Sequence, residues 1–373
     1  MNTNMKKAIV YGLGQNFQDY KTGIEKQYEV IGYSDKEYKQ IDKYISPGQI
    51  RNYEFDYIII TSWKHYGSIK KDLTGKYCIS DEKIVGLECV RDTTQDKVIV
   101  IRFMGGMGNM LFHYALMKKM EILYPDVPVK ADISSYYNEV IYTQDFNVLW
   151  TFERMFGKKL PIATDQDITT AKLNGYYMEK EASKFDDNVL KYGCGYYHGY
   201  WQTGKYFEDC GFLRDELQNI DILTVSAHQR KILKQIQECE SAAIWVRRGD
   251  YINNEVNRDY YGGICTEEYY DNAIKYLREK YPDVVFFVFS NDAEYIKEKY
   301  KDMNVITYDD ISGEYKEYNI YLISQCKHII QANSSMSWWA CWIHGNAGTI
   351  ISPRKWSNID VCPDVHEDYW VRM

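Results

Sequence analysis

Apolar residues in this chain fall into short unbroken runs. They recur as Lys7–Tyr11, Glu29–Tyr33, Tyr57–Ser62, Lys97–Ile101, Ala242–Val246, Val284–Phe289, Val305–Thr307, His328–Ala332 and Thr349–Pro353. Runs of this length without polar alternation predict strands buried on both faces. Between them lie stretches of helical period: residues 110–117, a helix capped by Thr266 with Glu267 and Glu268 in its first turn, one through 318–324, and one that carries Trp338, Trp339 and Trp342. Strands alternating with helices imply right-handed parallel crossovers, and so an α/β fold.

The order of these elements divides the chain. Residues 1–92 predict a Rossmann-like accessory domain of unassigned role, 97–240 one α/β half and 241–373 another, with the polar stretch Arg91–Asp96 as linker. In the first unit Gly12-Leu13-Gly14 follows the first strand, and Asp35 stands at the tip of the second, where a ribose-binding acid would be. Phe17 replaces the third glycine of a dinucleotide fingerprint. A bound dinucleotide, and with it an oxidoreductase, competes here with a regulatory, docking or vestigial module.

The second unit opens with another glycine loop, Arg102-Phe103-Met104-Gly105-Gly106-Met107-Gly108-Asn109, leading into a helix. Such a loop exposes backbone N–H groups to an anion or a sugar hydroxyl, and its last glycine serves close packing equally well. From Ala131 to Tyr197 periodicity is poor and aromatics are dense, which reads as irregular structure with short helices on an acceptor-facing side. Asp165-Gln166-Asp167 matches an Asp-x-Asp metal pattern but reads as a polar loop after Pro161, away from a strand tip. Gly195–Gln202 reads as an aromatic strand, with His198 a hydrogen-bonded structural residue.

The third unit carries the densest chemistry. The strand Ala242–Val246 ends in Arg247-Arg248-Gly249-Asp250-Tyr251. Two guanidinium groups at one strand tip call for a polyanion or for several carboxylates. In parallel sheets ligands bind beyond the carboxyl ends of strands, so Arg247, Arg248, Asp292 and the pair Ser334 and Ser335 converge on one edge. That convergence favours a nucleotide diphosphate.

Composition narrows the classes. The net charge of −8 argues against a protein held to nucleic acid by phosphate contacts. No apolar run approaches the roughly 20 residues of a membrane span, and the first seven residues lack the apolar core of a signal peptide. Nine scattered cysteines without a Cys-x-x-Cys pair suit reduced thiols in a cytoplasm. Tyrosine, 36 residues, reads mainly as a compositional bias rather than as sugar-stacking platforms.

From about Lys97 to the C-terminus the chain resembles the alpha-1,2-fucosyltransferases of glycosyltransferase family 11. The resemblance rests on Gly105-Gly106-Met107-Gly108-Asn109 with Phe112 and Tyr114-Ala115; on Gly199-Tyr200-Trp201-Gln202 with Lys205-Tyr206-Phe207; on Val246–Tyr251; on Phe289-Ser290-Asn291-Asp292; and on Ala332–Trp339. The chain departs from the family pattern at Trp245, where histidine is usual, and at Met110 and His113, where glutamines are.

The resemblance implies a GT-B-like fold, two Rossmann-like halves facing a cleft, here preceded by the extra N-terminal unit. It implies inverting, metal-independent transfer of L-fucose from GDP-fucose to a galactosyl or similar hydroxyl of a surface glycan, in alpha-1,2 linkage. Arg247 and Arg248 would neutralise the diphosphate with Asp250 orienting them; Gly106, Asn109, Asp292, Asn333, Ser334 and Ser335 would bind the donor. Glu255 is the expected base, with Asp250 the next candidate. No cofactor and no metal are expected. The partners would be a nucleotide-sugar and an oligosaccharide or lipid-linked acceptor, with no nucleic acid; a cytoplasmic site leaves room for peripheral association with the inner membrane. Two alternatives stay open: a non-catalytic GDP-sugar-binding scaffold, and a transferase with another donor sugar.

Overall fold

The computed structural model describes residues 5–37, 40–62, 65–90, 96–138, 146–220, 225–307 and 316–373. Three sheets follow one another along the chain, and every pairing between their strands is parallel. The first has the order β2-β1-β3-β4, from β1 (Lys7–Tyr11), β2 (Glu29–Ser34), β3 (Tyr57–Ile60) and β4 (Ile84–Val85), with helices α1 (Gln15–Gln27) and α2 (Tyr66–Lys71). The second has the order β6-β5-β8-β7, from β5 (Ile99–Arg102), β6 (Val129–Asp132), β7 (Tyr176–Met178) and β8 (Gly195–His198). Its helices are α3 (Met107–Leu123), α4 (Ser135–Asn138), α5 (Phe146–Phe156), α6 (Asp165–Asn174) and α7 (Phe212–Gln218).

The third sheet has the order β11-β10-β9-β12-β13-β14, from β9 (Glu240–Val246), β10 (Val284–Ser290), β11 (Asn304–Val305), β12 (His328–Ile330), β13 (Ile350–Ser352) and β14 (Val371–Arg372). Its helices are α8 (Ala227–Gln237), α9 (Gly249–Asn253), α10 (Glu255–Tyr261), α11 (Glu267–Lys280), α12 (Ala293–Lys299), α13 (Asn319–Ser324) and α14 (Ser335–His344). β9 lies between β10 and β12, which explains its unbroken apolar run. The architecture is two parallel α/β halves meeting along a seam, GT-B-like, preceded by a third α/β unit.

The cores cross from one sheet to the next. Along β5, Val98 and Val100 face the first sheet and share a core with Ile9, Phe17 and Tyr20; Ile99 and Ile101 face the other way. On the neighbouring strands Tyr176, Met178 and Tyr196 join the first core, while Tyr177 and Tyr197 join the second. The period-2 geometry of a strand gives the second sheet two buried faces with different partners. That second core runs on into the third sheet: Ala243 and Trp245 of β9 belong to it, whereas Ala242, Ile244 and Val246 pack on α11 with Tyr270 and Leu277.

Several local expectations change. Residues 131–197 contain β6, α5, α6 and β7 rather than mainly irregular chain. Asp165-Gln166-Asp167 is the first turn of α6 and not a loop, because Thr164 and Asp167 form a capping box. Asp167 also binds Lys130 at 2.8 Å. The aromatic strand at 195–202 stops at His198, and the polar loop expected around Glu255 is the pair of short helices α9 and α10. β4 and β14, two residues each, are too short to leave a periodic signal. Residues 91–95 of the expected linker lie outside the described residues.

A chain shortened to residues 97–373 would expose Val98, Val100, Tyr176, Met178 and Tyr196 together. The expected outcome is loss of cooperative thermal unfolding and self-association, read by near-UV circular dichroism and gel filtration. A monomer that unfolds cooperatively would show that this shared core is dispensable.

Candidate active site

The strand tips of the third sheet bring the arginine pair to the seam. Val246 stands beside Ser290, and Ile330 beside Ile244, so the residues that follow leave the sheet together: Arg247-Arg248, Asn291-Asp292 and Asn333-Ser334. Each arginine has a carboxylate and an aromatic ring of its own. Arg247 Nη2 lies 2.9 Å from Asp250 Oδ1 and 3.0 Å from Oδ2, with the guanidinium 5.3 Å from the Tyr251 ring centre. Arg248 Nε lies 3.1 Å from Asp292 Oδ2, and its guanidinium stacks 3.7 Å above Tyr295. Both side chains are about one-third exposed, at 28% and 33%. The pairs hold the two forks in place, and the Arg248 Nη groups make no hydrogen bond among the described residues.

A further ring of amides steadies this arrangement. Asn257 and Asn291 donate to Asp250 at 3.3 and 3.4 Å, and Asn291 Oδ1 accepts the Arg248 N–H at 2.9 Å. Asp250 therefore sits among three donors and orients Arg247. Asp292 caps α12 through the Tyr295 N–H at 3.2 Å while its other oxygen takes Arg248, so its contacts are to protein. Asn333 is 2% exposed, and its side chain is consumed by the carbonyls of Tyr261 and Trp356 and by the Cys265 thiol. It ties the β12 tip to α10; Tyr251 adds a bond from its hydroxyl to the Asn333 carbonyl at 2.9 Å. Glu255 is exposed at the start of α10, and no hydrogen bond or ion pair among the described residues joins it to the arginines or to Asp250.

From the facing half comes the N-terminus of α3. Gly105 has φ +77°, in the left-handed region, and Asn109 packs over it. Gly108 meets α14 directly: a Cβ there would lie 2.5 Å from Met336 N and from the Ser335 carbonyl carbon. The third glycine of the loop is thus a close helix–helix approach. It sets the first turn of α3 beside the first turn of α14. Neither helix has a side-chain cap at Gly106 or Ser334. Two uncapped N-termini side by side present amides and partial positive charge to one place. An aromatic seam locks the crossing: Phe112 lies 4.6 Å from Trp338 and 5.0 Å from Trp339, and Phe207 stacks on Trp339 at 5.3 Å.

Residues not marked as site candidates complete the seam. Gln202 Nε2 donates to Asn109 Oδ1 at 2.7 Å; it stands in the Gly199–Gln202 motif, which was the available signal. His113 Nε2 donates to the Gly199 carbonyl at 2.9 Å, and burial pushes its imidazole down to about 4. His198 bonds Tyr176 at 2.5 Å and Arg102 at 3.3 Å, and burial with the Arg102 charge pushes it down to about 3. Trp245, where histidine is usual, is 3% exposed and belongs to the core.

The glycine loop of the first unit is closed by its own residues. Asp35 accepts the N–H of Leu13 and of Glu37, both at 2.8 Å, and Phe17 packs edge-on against Tyr33 at 5.3 Å. Asp35 thus holds the glycine turn rather than standing clear at the strand tip.

The fold and the seam define an α/β protein with two carboxylate-paired arginines and two uncapped helix starts at the edge between its halves. Residues 139–372 match the family model "Glycosyl transferase family 11", and residues 4–85 match "C2185-like, N-terminal". The chain belongs to glycosyltransferase family 11 and is a glycosyltransferase. It is 30% identical over 296 residues to an alpha-1,2-colitosyltransferase of Escherichia coli, covering 74% of this chain and 99% of that one. It is 31% identical over 140 residues to the O-antigen biosynthesis glycosyltransferase WbnK of Escherichia coli, 36% of this chain and 46% of that one. The fucosyltransferase NodZ from Bradyrhizobium superposes loosely, at 13% identity and a TM-score of 0.38, over 66% of this chain and 92% of that one; the fold assignment rests on strand order.

His113 is neutral in the folded protein and titrates near 6.5 when exposed, so its contribution is present above pH 6.5 and is lost as pH falls toward 4. The loss is on the order of 3 kcal/mol by pH 4. His113→Gln keeps a donor for the Gly199 carbonyl and removes the titration. Urea midpoints measured from pH 7.5 down to 4.5 are expected to fall less in this variant than in the wild type; parallel curves would remove His113 from the account.

Proposed function

We propose that the protein transfers a GDP-activated 6-deoxyhexose of the L-fucose or colitose type to a hydroxyl of a surface glycan. The observation that carries this is the arginine pair, each member fixed by its own carboxylate, at the edge where two uncapped helix N-termini meet. A diphosphate leaving group gathers negative charge as the glycosidic bond breaks. Fixed guanidinium donors and helix amides stabilise that charge without reorganising. The reading leaves this work to Arg247 and Arg248 rather than to a metal ion; Asp250 and Asp292 hold the arginines. Asn109, Ser334 and Ser335 face the donor from the two helix starts, and Gly106 lets it approach.

The family and the full-length relative named for alpha-1,2 transfer of colitose support that linkage and widen the donor beyond fucose. Colitose is fucose without its 3-hydroxyl, so one site accommodates either with few changes. Inversion requires the acceptor hydroxyl to lose a proton. Glu255 remains the candidate base, in the first turn of the helix whose Asn257 donates to Asp250. No helix among the described residues is long and apolar enough to cross a membrane. A lipid-linked acceptor would then be met by peripheral contact, on the cytoplasmic side.

The test is direct. Purified protein in EDTA is incubated with GDP-fucose or GDP-colitose and galactose-terminated acceptors, and products are read by mass and by NMR of the new linkage. Transfer from one donor, with an inverted anomeric centre, is expected. GDP release without product, or binding without turnover across a broad panel, would favour a silent sugar-nucleotide-binding protein. Arg247→Ala and Arg248→Ala are each expected to lower kcat by roughly 100-fold or more, the usual loss for one preorganised oxyanion donor. Asp250→Asn and Asp292→Asn act through the arginines, and losses nearer tenfold are expected in the same assay.

A further inference from the structure

Glu179 directly follows β7, at the carboxyl edge of the second sheet. Its Oε2 accepts the Tyr200 N–H at 2.7 Å and its Oε1 the Trp201 N–H at 3.2 Å, while its own N–H donates to the His198 carbonyl at 3.0 Å. The carboxylate thus takes over the ladder where β8 ends. The chain it holds is strained. Trp201 sits at φ +56°, a left-handed backbone that a bulky residue adopts only where its surroundings hold it there. Its ring is 1% exposed and meets Tyr206 edge-on at 5.8 Å. The next residue is Gln202, whose amide holds Asn109 at 2.7 Å. On its other side the loop is fastened to α3 by His113, through the Gly199 carbonyl.

Gly199 leaves no slack in this arrangement, since a Cβ there would lie 2.4 Å from Glu179 Cβ. The amides of Tyr200, Trp201 and Ser183 bond the carboxylate, and Tyr206, Tyr261, Asp360 and Cys362 lie within its electrostatic reach. Glu179 thus holds the loop that carries Gln202, and the nearby 183–185 segment is bonded to Asp364 of the third-sheet half.

We propose that Glu179 is a positioning residue for the transfer reaction: by holding the 200–201 amides it sets Gln202, and through Gln202 the Asn109 amide, at the start of α3. This rests on the reading of Asn109 as donor-facing. Only the ionised carboxylate accepts from both amides with full strength. Burial pushes the Glu179 carboxyl up to about 7, so the clamp strengthens as pH rises through neutrality.

The experiment is steady-state transfer kinetics from pH 5.5 to 8.5, with GDP binding alongside, for the wild type, E179Q, E179D, Q202A, N109A and the double variant E179Q/Q202A. E179Q turns an –NH2 toward one of the two amide N–H groups. The expected results are a roughly tenfold or larger fall in kcat, GDP affinity within about twofold of wild type, and partial recovery in E179D. The acidic limb of the wild-type profile near pH 7 is expected to vanish in both E179Q and Q202A. The double variant is expected to lose no more than Q202A alone, because both act through one chain of contacts. If E179Q fails to fold, the pH profile of Q202A carries the test by itself. Wild-type kcat and pH profile in E179Q, or an unchanged acidic limb in Q202A, or additive losses in the double variant, would overturn the proposal. An N109A protein with unimpaired kcat would instead remove the donor-facing reading on which it rests.

Discussion

The close approach of α3 to α14 at Gly108 is the constraint on which the site depends. A backbone atom of α14 stands where any side chain at position 108 would begin, so the two helices meet with no spacer between them. The helices belong to different halves, and their crossing is held by Phe112, Phe207, Trp338 and Trp339 rather than by polar contacts. Burying so much aromatic surface fixes the two halves relative to one another. The consequence is electrostatic. Two uncapped helix starts are brought together, and Arg247 and Arg248 arrive beside them from β9.

The arginines are neutralised in place rather than left as bare charge. Asp250 and Asp292 cancel their formal charge, and Tyr251 and Tyr295 fix their planes. Such pairs contribute little to stability at this exposure, so their value is geometric. The two forks are held in place, and the Arg248 Nη groups make no hydrogen bond among the described residues.

The fold was largely legible in the sequence because its strands are buried on both faces and read as apolar runs. β9, β10 and β12 could hardly be anything else. The short helices α9 and α10 could not be read, since five and seven mostly polar residues carry no period; their shape comes from Asn254 as cap and from contacts to Asp250 and Asn333. The site was legible in part. Adjacent arginines at a strand tip called for a polyanion or for several carboxylates, and Asp250 and Asp292 are such carboxylates; Asn109, Ser334 and Ser335 stand at helix starts. Asn333 looked like a ligand-binding residue but serves the backbone of its neighbours. Glu179 left no trace in the sequence, because its importance comes from the loop folded against it, and that contact joins residues about twenty positions apart. At the amino-terminal glycine loop the sequence left a bound dinucleotide in competition with a regulatory, docking or vestigial module, and Asp35 bonds the loop itself.

The account stands or falls on whether the arginine pair binds the leaving nucleotide unaided. The direct measurement is calorimetric titration of GDP into the wild type, Arg247→Ala and Arg248→Ala, each in EDTA and again with added magnesium or manganese. Binding to the wild type in EDTA, unchanged by metal and weakened roughly tenfold or more by either substitution, is predicted. Equal affinity in all three proteins, or wild-type binding that appears only when metal is added, would contradict it.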